Sequence, residues 1–92
     1  MTETETEVLE LVEQETVITD TKELVLYNDD YNTFDHVIES LVKVCTHDVL
    51  QAEQCTWIIH YNGKCSVKKG AFEILKPMRQ ALSERGLDAK IH

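Results

Sequence analysis

Apolar positions along this chain switch between a two-residue and a three-to-four-residue spacing, and each switch marks a new element. Residues 23–28, ELVLYN, place Leu24 and Leu26 on one face and Val25 and Tyr27 on the other, which predicts a strand covered on both sides. Thr33 then caps a helix in which Phe34, Val37, Ile38, Leu41, Val42 and Cys45 form one continuous stripe. Thr46 starts a second helix, with Asp48 in its first turn and Leu50, Gln54, Trp57, Ile58 and Tyr61 along one side, a stripe that makes Trp57 a core residue. Asn62 and Gly63 end it. Lys64 to Lys69 alternates as a half-buried strand until Gly70 breaks it. A third helix carries Phe72, Leu75, Met78 and Leu82 and stops at Gly86. Pro77 falls inside it, where a proline costs about 3 kcal/mol, so the helix either kinks or has its regular part begin close to Lys76. Leu87, Ala89 and Ile91 alternate with Asp88 and Lys90 in a last strand. The order β-α-α-β-α-β predicts an α/β fold of the α+β sandwich kind, a three-stranded sheet covered by three helices.

Ninety-two residues at 42% hydrophobic content suffice for one core and no second domain. The net charge of -8 is unevenly spread: residues 1–23 hold eight acids against Lys22, a net of -7, and residues 24–92 hold nine acids against eight bases, a net of -1. The division is therefore a flexible acidic extension over 1–22 and a nearly neutral core domain over 23–92. Without clustered Lys and Arg, neither nucleic acid nor an anionic membrane is the expected partner. No leader-like segment and no apolar run near ~18 residues occurs, so neither secretion nor a membrane span is expected. Cys45, Cys55 and Cys65 are odd in number, form no CxxC and fall within apolar patterns, which suits reduced thiols in the cytoplasm and gives no metal site. Nothing signals oligomerisation, so a monomer is expected.

The chemistry gathers where the first strand ends. Asn28, Asp29 and Asp30 put two adjacent carboxylates and an amide at a strand exit, an acceptor group that favours open water or a bound cation. If the two helices that follow return to the same sheet, His60 near the end of the second comes toward this loop. Two carboxylates, an amide oxygen and an imidazole suit a primary ammonium with its three donors. Phe34 and Val37 on the first helix and Thr56 and Ile59 on the second would make an apolar surround, the shape that receives the α-ammonium and bulky side chain of a free peptide N-terminus.

The run LYNDDYNTFDHV, followed by a second helix ending WIIHYNGK, resembles the ClpS family, adaptors that bring N-end-rule substrates to Clp AAA+ unfoldases. The resemblance spans about residues 24–91. It implies that Asn28, Asp29, Asp30 and His60 recognise the α-amino group and first peptide bond, with no cofactor and no catalysis, and that Val37 and Ile59 wall a side-chain pocket. Substrates would be proteins beginning with Phe, Tyr, Trp or Leu. Where the family usually follows NDD with an aromatic, Thr, Pro and Met, this chain has Tyr31, Asn32, Thr33 and Phe34, and Thr56 stands where a larger apolar residue is common. Asn32 thus offers an amide in place of a hydroxyl to the peptide backbone, and one pocket wall gains bulk as another loses it. On the third helix, Glu73 and Arg79 match positions that contact the N-terminal domain of the unfoldase, of ClpA or ClpC type.

Two other readings compete. Asp29, Asp30 and His60 as a hydrolase base or metal ligands lack a nearby Ser or Cys nucleophile and any HxxxH or HxH spacing. An interaction domain that binds and modulates the Clp unfoldase while ignoring N-terminal residues is the closer alternative, given the changed Thr33 and Phe34. By themselves, Asp29 and Asp30 also suit ordinary turn and helix-entry acids, and His60 suits a helix end.

Overall fold

The structure is a computed structural model and describes residues 20–92. The expectation of a flexible acidic arm falls mostly on residues outside that range. Six elements follow in the predicted order: β1 (Lys22–Tyr27), α1 (Phe34–Cys45), α2 (Val49–Asn62), β2 (Lys64–Gly70), α3 (Phe72–Glu84) and β3 (Asp88–Ile91). β1 is the central strand of an antiparallel sheet ordered β2-β1-β3. Leu24 and Leu26 are fully buried with Leu41, Cys45, Leu75 and Leu82, so the sheet's inner face and one side of each helix share a single core. Lys22, placed with the extension on charge alone, begins β1 and pairs with Gly70, which continues β2 instead of ending it.

The junctions are sharper than hydropathy shows. Thr33 is the N-cap of α1, its hydroxyl accepting from the His36 amide at 3.1 Å. Thr46 ends α1 and does not start α2: it adopts a left-handed conformation at φ 57°, uncommon for a β-branched residue. Asp48, expected inside the first turn of α2, is instead its N-cap, accepting from the Gln51 amide at 2.7 Å. α3 runs unbroken from Phe72 through Pro77, so its regular part does not wait for Lys76. Pro77 is exposed and Leu75 and Leu82 are fully buried, so packing of the apolar stripe holds the helix across the missing hydrogen bond.

The stripe assigned to α2 is corrected. Ala52, Thr56 and Ile59 face the core, whereas Leu50, Trp57, Ile58 and Tyr61 are exposed, Trp57 at 45% and Tyr61 at 73%. Apolar residues occur on both sides of this helix, so amphipathic spacing selects no side, and the larger residues pointed the wrong way.

A β-bulge explains one further placement. Leu24 pairs with Lys68 and Val25 with Ser66, leaving Val67 as the extra residue on β2. The bulge lets both Val67 and Lys68 lie on the helix side of the sheet. Lys68 reaches the end of α1, where its ammonium donates to the Cys45 carbonyl at 3.1 Å and the Thr46 hydroxyl at 3.2 Å, a cation at a helix C-terminus. The Val67 carbonyl accepts from Nε2 of buried His47 at 2.7 Å, while His47 Nδ1 has no partner. Removing this side chain by His47→Ala opens a cavity and strands the bulge carbonyl, and is expected to cost about 2–4 kcal/mol in urea unfolding. A loss under about 1 kcal/mol would mean that the corner between α1 and α2 needs no such tie.

Candidate functional site: a pocket with an acidic mouth

The site begins with the turn that ends α2. Gly63 takes φ 92°, a left-handed value glycine adopts without strain, and its amide closes onto the Ile59 carbonyl at 2.9 Å. The Gly63 carbonyl then accepts from the Asn28 amide at 2.9 Å, which fastens the loop leaving β1 to the last turn of α2. That bond supplies the closure that the sequence leaves conditional, bringing Asn28 and Asp29 to the same pocket as His60.

Asp29 organises the loop. Its Oδ1 accepts from the amides of Tyr31 at 2.8 Å and Asn32 at 2.9 Å, and its Oδ2 accepts from the Asn32 side-chain amide at 2.7 Å. Burial pulls this carboxyl upward, but the hydrogen bonds from Asn32 and Tyr31, with His36 nearby, outweigh it and hold the group below its ordinary value of 3.8. The stability it contributes is therefore present above the ordinary carboxylate range and is lost as pH falls through the depressed native value. Two carboxylate oxygens offer about four acceptor directions, so three donors from the loop leave room for one from a guest.

Asn32 extends this scaffold across the molecule. Its Nδ2 also donates to the Gly86 carbonyl at 3.0 Å, at the turn between α3 and β3. The same turn is held to α1 twice, by His36 Nε2 donating to the Arg85 carbonyl at 2.8 Å and by Arg85 Nε donating to buried Ser40 Oγ at 2.8 Å. The acidic loop thus rests on a hydrogen-bonded frame spanning α1 and the end of α3. Asn32 is engaged in that frame while it lines the pocket.

The pocket encloses about 330 Å³ of empty volume, counted out to its mouth. Buried Leu26, Thr56, Ile59 and Leu87 form its floor, and half-buried Phe34 and Val37 its α1 wall. The Thr56 hydroxyl donates to the Ala52 carbonyl at 2.8 Å, so it presents no unmet polar demand to a guest. Exposed Asn28 and His60, with half-buried Asp29, make the polar edge. His60 stands edge-on to Phe34 at 5.3 Å, so its ring faces the aromatic side of the pocket.

Residues 19–90 match the family model described as ATP-dependent Clp protease adaptor protein ClpS. The chain belongs to the ClpS family. It is 39% identical over 67 residues to the ClpS adapter of Nostoc sp., covering 70% of this chain and 67% of that one. To the ClpS adapter of Salmonella gallinarum it is 42% identical over 41 residues, 45% of this chain and 39% of that one. A stretch of 68 residues, 74% of this chain, is 28% identical to 4% of the human E3 ubiquitin-protein ligase UBR1. The chain thus spans well under two thirds of both of these last two relatives. In fold it is similar to Agrobacterium tumefaciens ClpS2, solved bound to L-phenylalaninamide, with a TM-score of 0.69 at 20% identity over 79% of this chain and 95% of that one. ClpS is an adaptor of the Clp protease, and the β-α-α-β-α-β order is that of the ClpS fold.

Against this ClpS frame, every residue singled out for peptide recognition lines the pocket except Asp30, which is exposed in the loop. Glu73 and Arg79 are both exposed on α3, about 120° apart around its axis, and neither enters the pocket. Exposed Phe72 and Ile74 flank Glu73. Three lining residues are absent from the sequence-based set: Leu26, Tyr27 and Leu87. The first two sit on a strand whose alternation was legible, and Leu87 begins the last alternating run, but only the folded sheet sets them beneath the α1–α2 opening. Among the described residues no group of three or more His, Cys, Asp or Glu is arranged to hold a metal ion, and no helix is long and apolar enough to cross a membrane. The three cysteines are free. Burial pushes the Cys45 thiol up to about 11 and Cys65, beside Cys55, up to about 12, the opposite of an activated nucleophile.

Proposed function

We propose that this ClpS is a non-enzymatic cytoplasmic adaptor that binds the free, bulky hydrophobic N-terminal residue of a substrate protein and hands it to a Clp AAA+ unfoldase. The observation that carries this reading is the coincidence, in one pocket, of a buried apolar floor with the anionic Asp29 and the acceptors of Asn28 and His60 at its edge. An α-ammonium docks on the polar edge and its side chain on Leu26, Ile59 and Leu87. A charge-assisted hydrogen bond contributes about 1.5–3 kcal/mol and burial of a large apolar side chain a similar amount. Neither half alone offsets the loss of translational freedom, so both are required. Glu73 and Arg79 on α3 are the residues assigned to the unfoldase, on a surface that leaves the pocket free.

Fluorescence anisotropy of labelled peptides beginning with Phe, Leu or Val, each free or acetylated, tests the reading. Free Phe and Leu peptides are expected to bind with micromolar affinity or better, acetylation to abolish binding, and Val to fail for want of buried area. Binding that ignores the N-terminus leaves the alternative, an interaction domain acting on the unfoldase alone. Since a free α-amino group titrates near about 7.7–8.0 and the pocket favours its charged form, affinity is expected to fall as pH rises above that range. The fall begins at the free group's value, because only the free ligand is losing its proton there. An affinity that instead rises between about pH 8 and 9 would overturn the ammonium assignment.

A further inference from the structure

The aromatic side of the pocket continues outward. Phe34 lines the pocket and packs edge-to-face on Trp57 at 4.7 Å, outside it. Trp57 in turn stacks on Tyr61 at 5.4 Å with the rings 14° from parallel, and His60, also a lining residue, is edge-on to both, at 6.1 Å and 5.1 Å. Phe34 and His60 therefore each have one side in the pocket and the other against a platform built from Trp57 and Tyr61. The platform is costly to leave in water: it exposes 45% of a tryptophan and 73% of a tyrosine on a helix whose opposite side supplies the core.

We propose that Trp57 and Tyr61 form a second subsite, which stacks the side chain of the residue after the N-terminal one and favours arginine there. The proposal rests on the N-terminal reading above, because that reading fixes where the peptide starts. A chain whose first residue is seated between Phe34 and His60 has an exit past either of them onto the platform that both adjoin. Next to it lies the Asn28–Asp30 loop, tied to the end of α2 through Gly63 and carrying Asp29 as a carboxylate. A guanidinium matches both features. It is planar and weakly hydrated, so it stacks on open aromatic faces, and its charge is complementary to the mouth. A lysine shares the charge but not the plane, and a glycine has neither, so the three separate stacking from simple attraction.

The experiment is anisotropy with free peptides beginning Phe-Arg, Phe-Lys and Phe-Gly, identical thereafter, against the wild-type chain and the Tyr61→Ala and Trp57→Leu variants. Phe-Arg is expected to bind about two- to fivefold more tightly than Phe-Lys, the range of an exposed cation–π contact. Tyr61→Ala is expected to reduce that Arg-to-Lys ratio toward one, and Trp57→Leu to do so as well. A merely structural effect on the pocket lowers all three affinities together and leaves the ratio standing, and that result overturns the proposal. So does equal binding of Phe-Arg and Phe-Lys by the wild type. Failure of the underlying reading looks different: no free peptide binds in preference to its acetylated form, whatever its second residue.

Discussion

Replacing Asp29 by alanine is expected to lower affinity for a free N-terminal Phe peptide by about 100-fold, equivalent to about 2.7 kcal/mol, near the top of the range for a charge-assisted hydrogen bond. The effect is large because Asp29 acts twice. In the proposed complex its carboxylate faces the ammonium, and the same oxygens gather Tyr31 and Asn32 into the loop that presents it. Asp29→Asn separates these contributions: it removes the charge and sets an amide against the Asn32 amide, so binding falls while the chain stays folded by circular dichroism. Asp30→Ala is the contrast. Although the two acids are adjacent, Asp30 is exposed and outside the pocket lining, so its loss is expected to weaken binding no more than about threefold, through a solvent-screened charge. Equal losses for the two variants would restore the shared role that the sequence suggests, and undiminished affinity in Asp29→Ala would remove the proposed polar anchor.

Truncating Leu26 is expected to have the largest effect on stability. This side chain is 1% exposed, sits on the central strand and forms both core and pocket floor. Leu→Ala changes at such positions cost about 2.7–5.0 kcal/mol, the spread reflecting how far the cavity collapses. For a domain of this size each kcal/mol lowers the melting temperature by about 4–8 °C, so a drop of at least about 10 °C is expected in thermal unfolding. Because the new space opens into the pocket, water can enter it and the loss should fall in the lower half of that range. The same variant is expected to shift peptide preference toward longer side chains, measurable as a raised ratio of Phe to Leu affinity. A cost under about 1 kcal/mol would show that Leu26 is loosely packed and the floor is not part of the core.

Local rules made most of the elements legible. β1 and α1 read directly from period-two and period-3.6 spacing, and caps at Thr33 and Gly63 fell where short-range chemistry puts them. The polar half of the site was equally plain, because Asn28, Asp29 and Asp30 are consecutive and like charges at a strand exit draw notice by themselves. His60 and the pocket walls entered only through the assumption that both helices return to the same sheet, which the family resemblance supported; no spacing rule links those residues to that loop.

Other features were decided only by long-range contacts. Which side of α2 is buried depends on what lies beneath it: Ala52 and Thr56 are small enough to let the helix approach the sheet, Ile59 fills the core beside them, and Trp57 and Tyr61 are left outside. That Asp29 lines the pocket while Asp30 is exposed outside it is a matter of how the backbone turns between two adjacent residues and not of residue type. The frame that steadies the loop joins Asn32 to Gly86 and Ser40 to Arg85, pairs separated by 54 and 45 positions. Sequence determines which groups a chain can bring to a site, since side-chain chemistry and local periodicity are properties of neighbours. Which of those groups meet is set by the antiparallel sheet, the bulge at Val67 and the Asn28–Gly63 bond, interactions that exist only once distant segments are packed together.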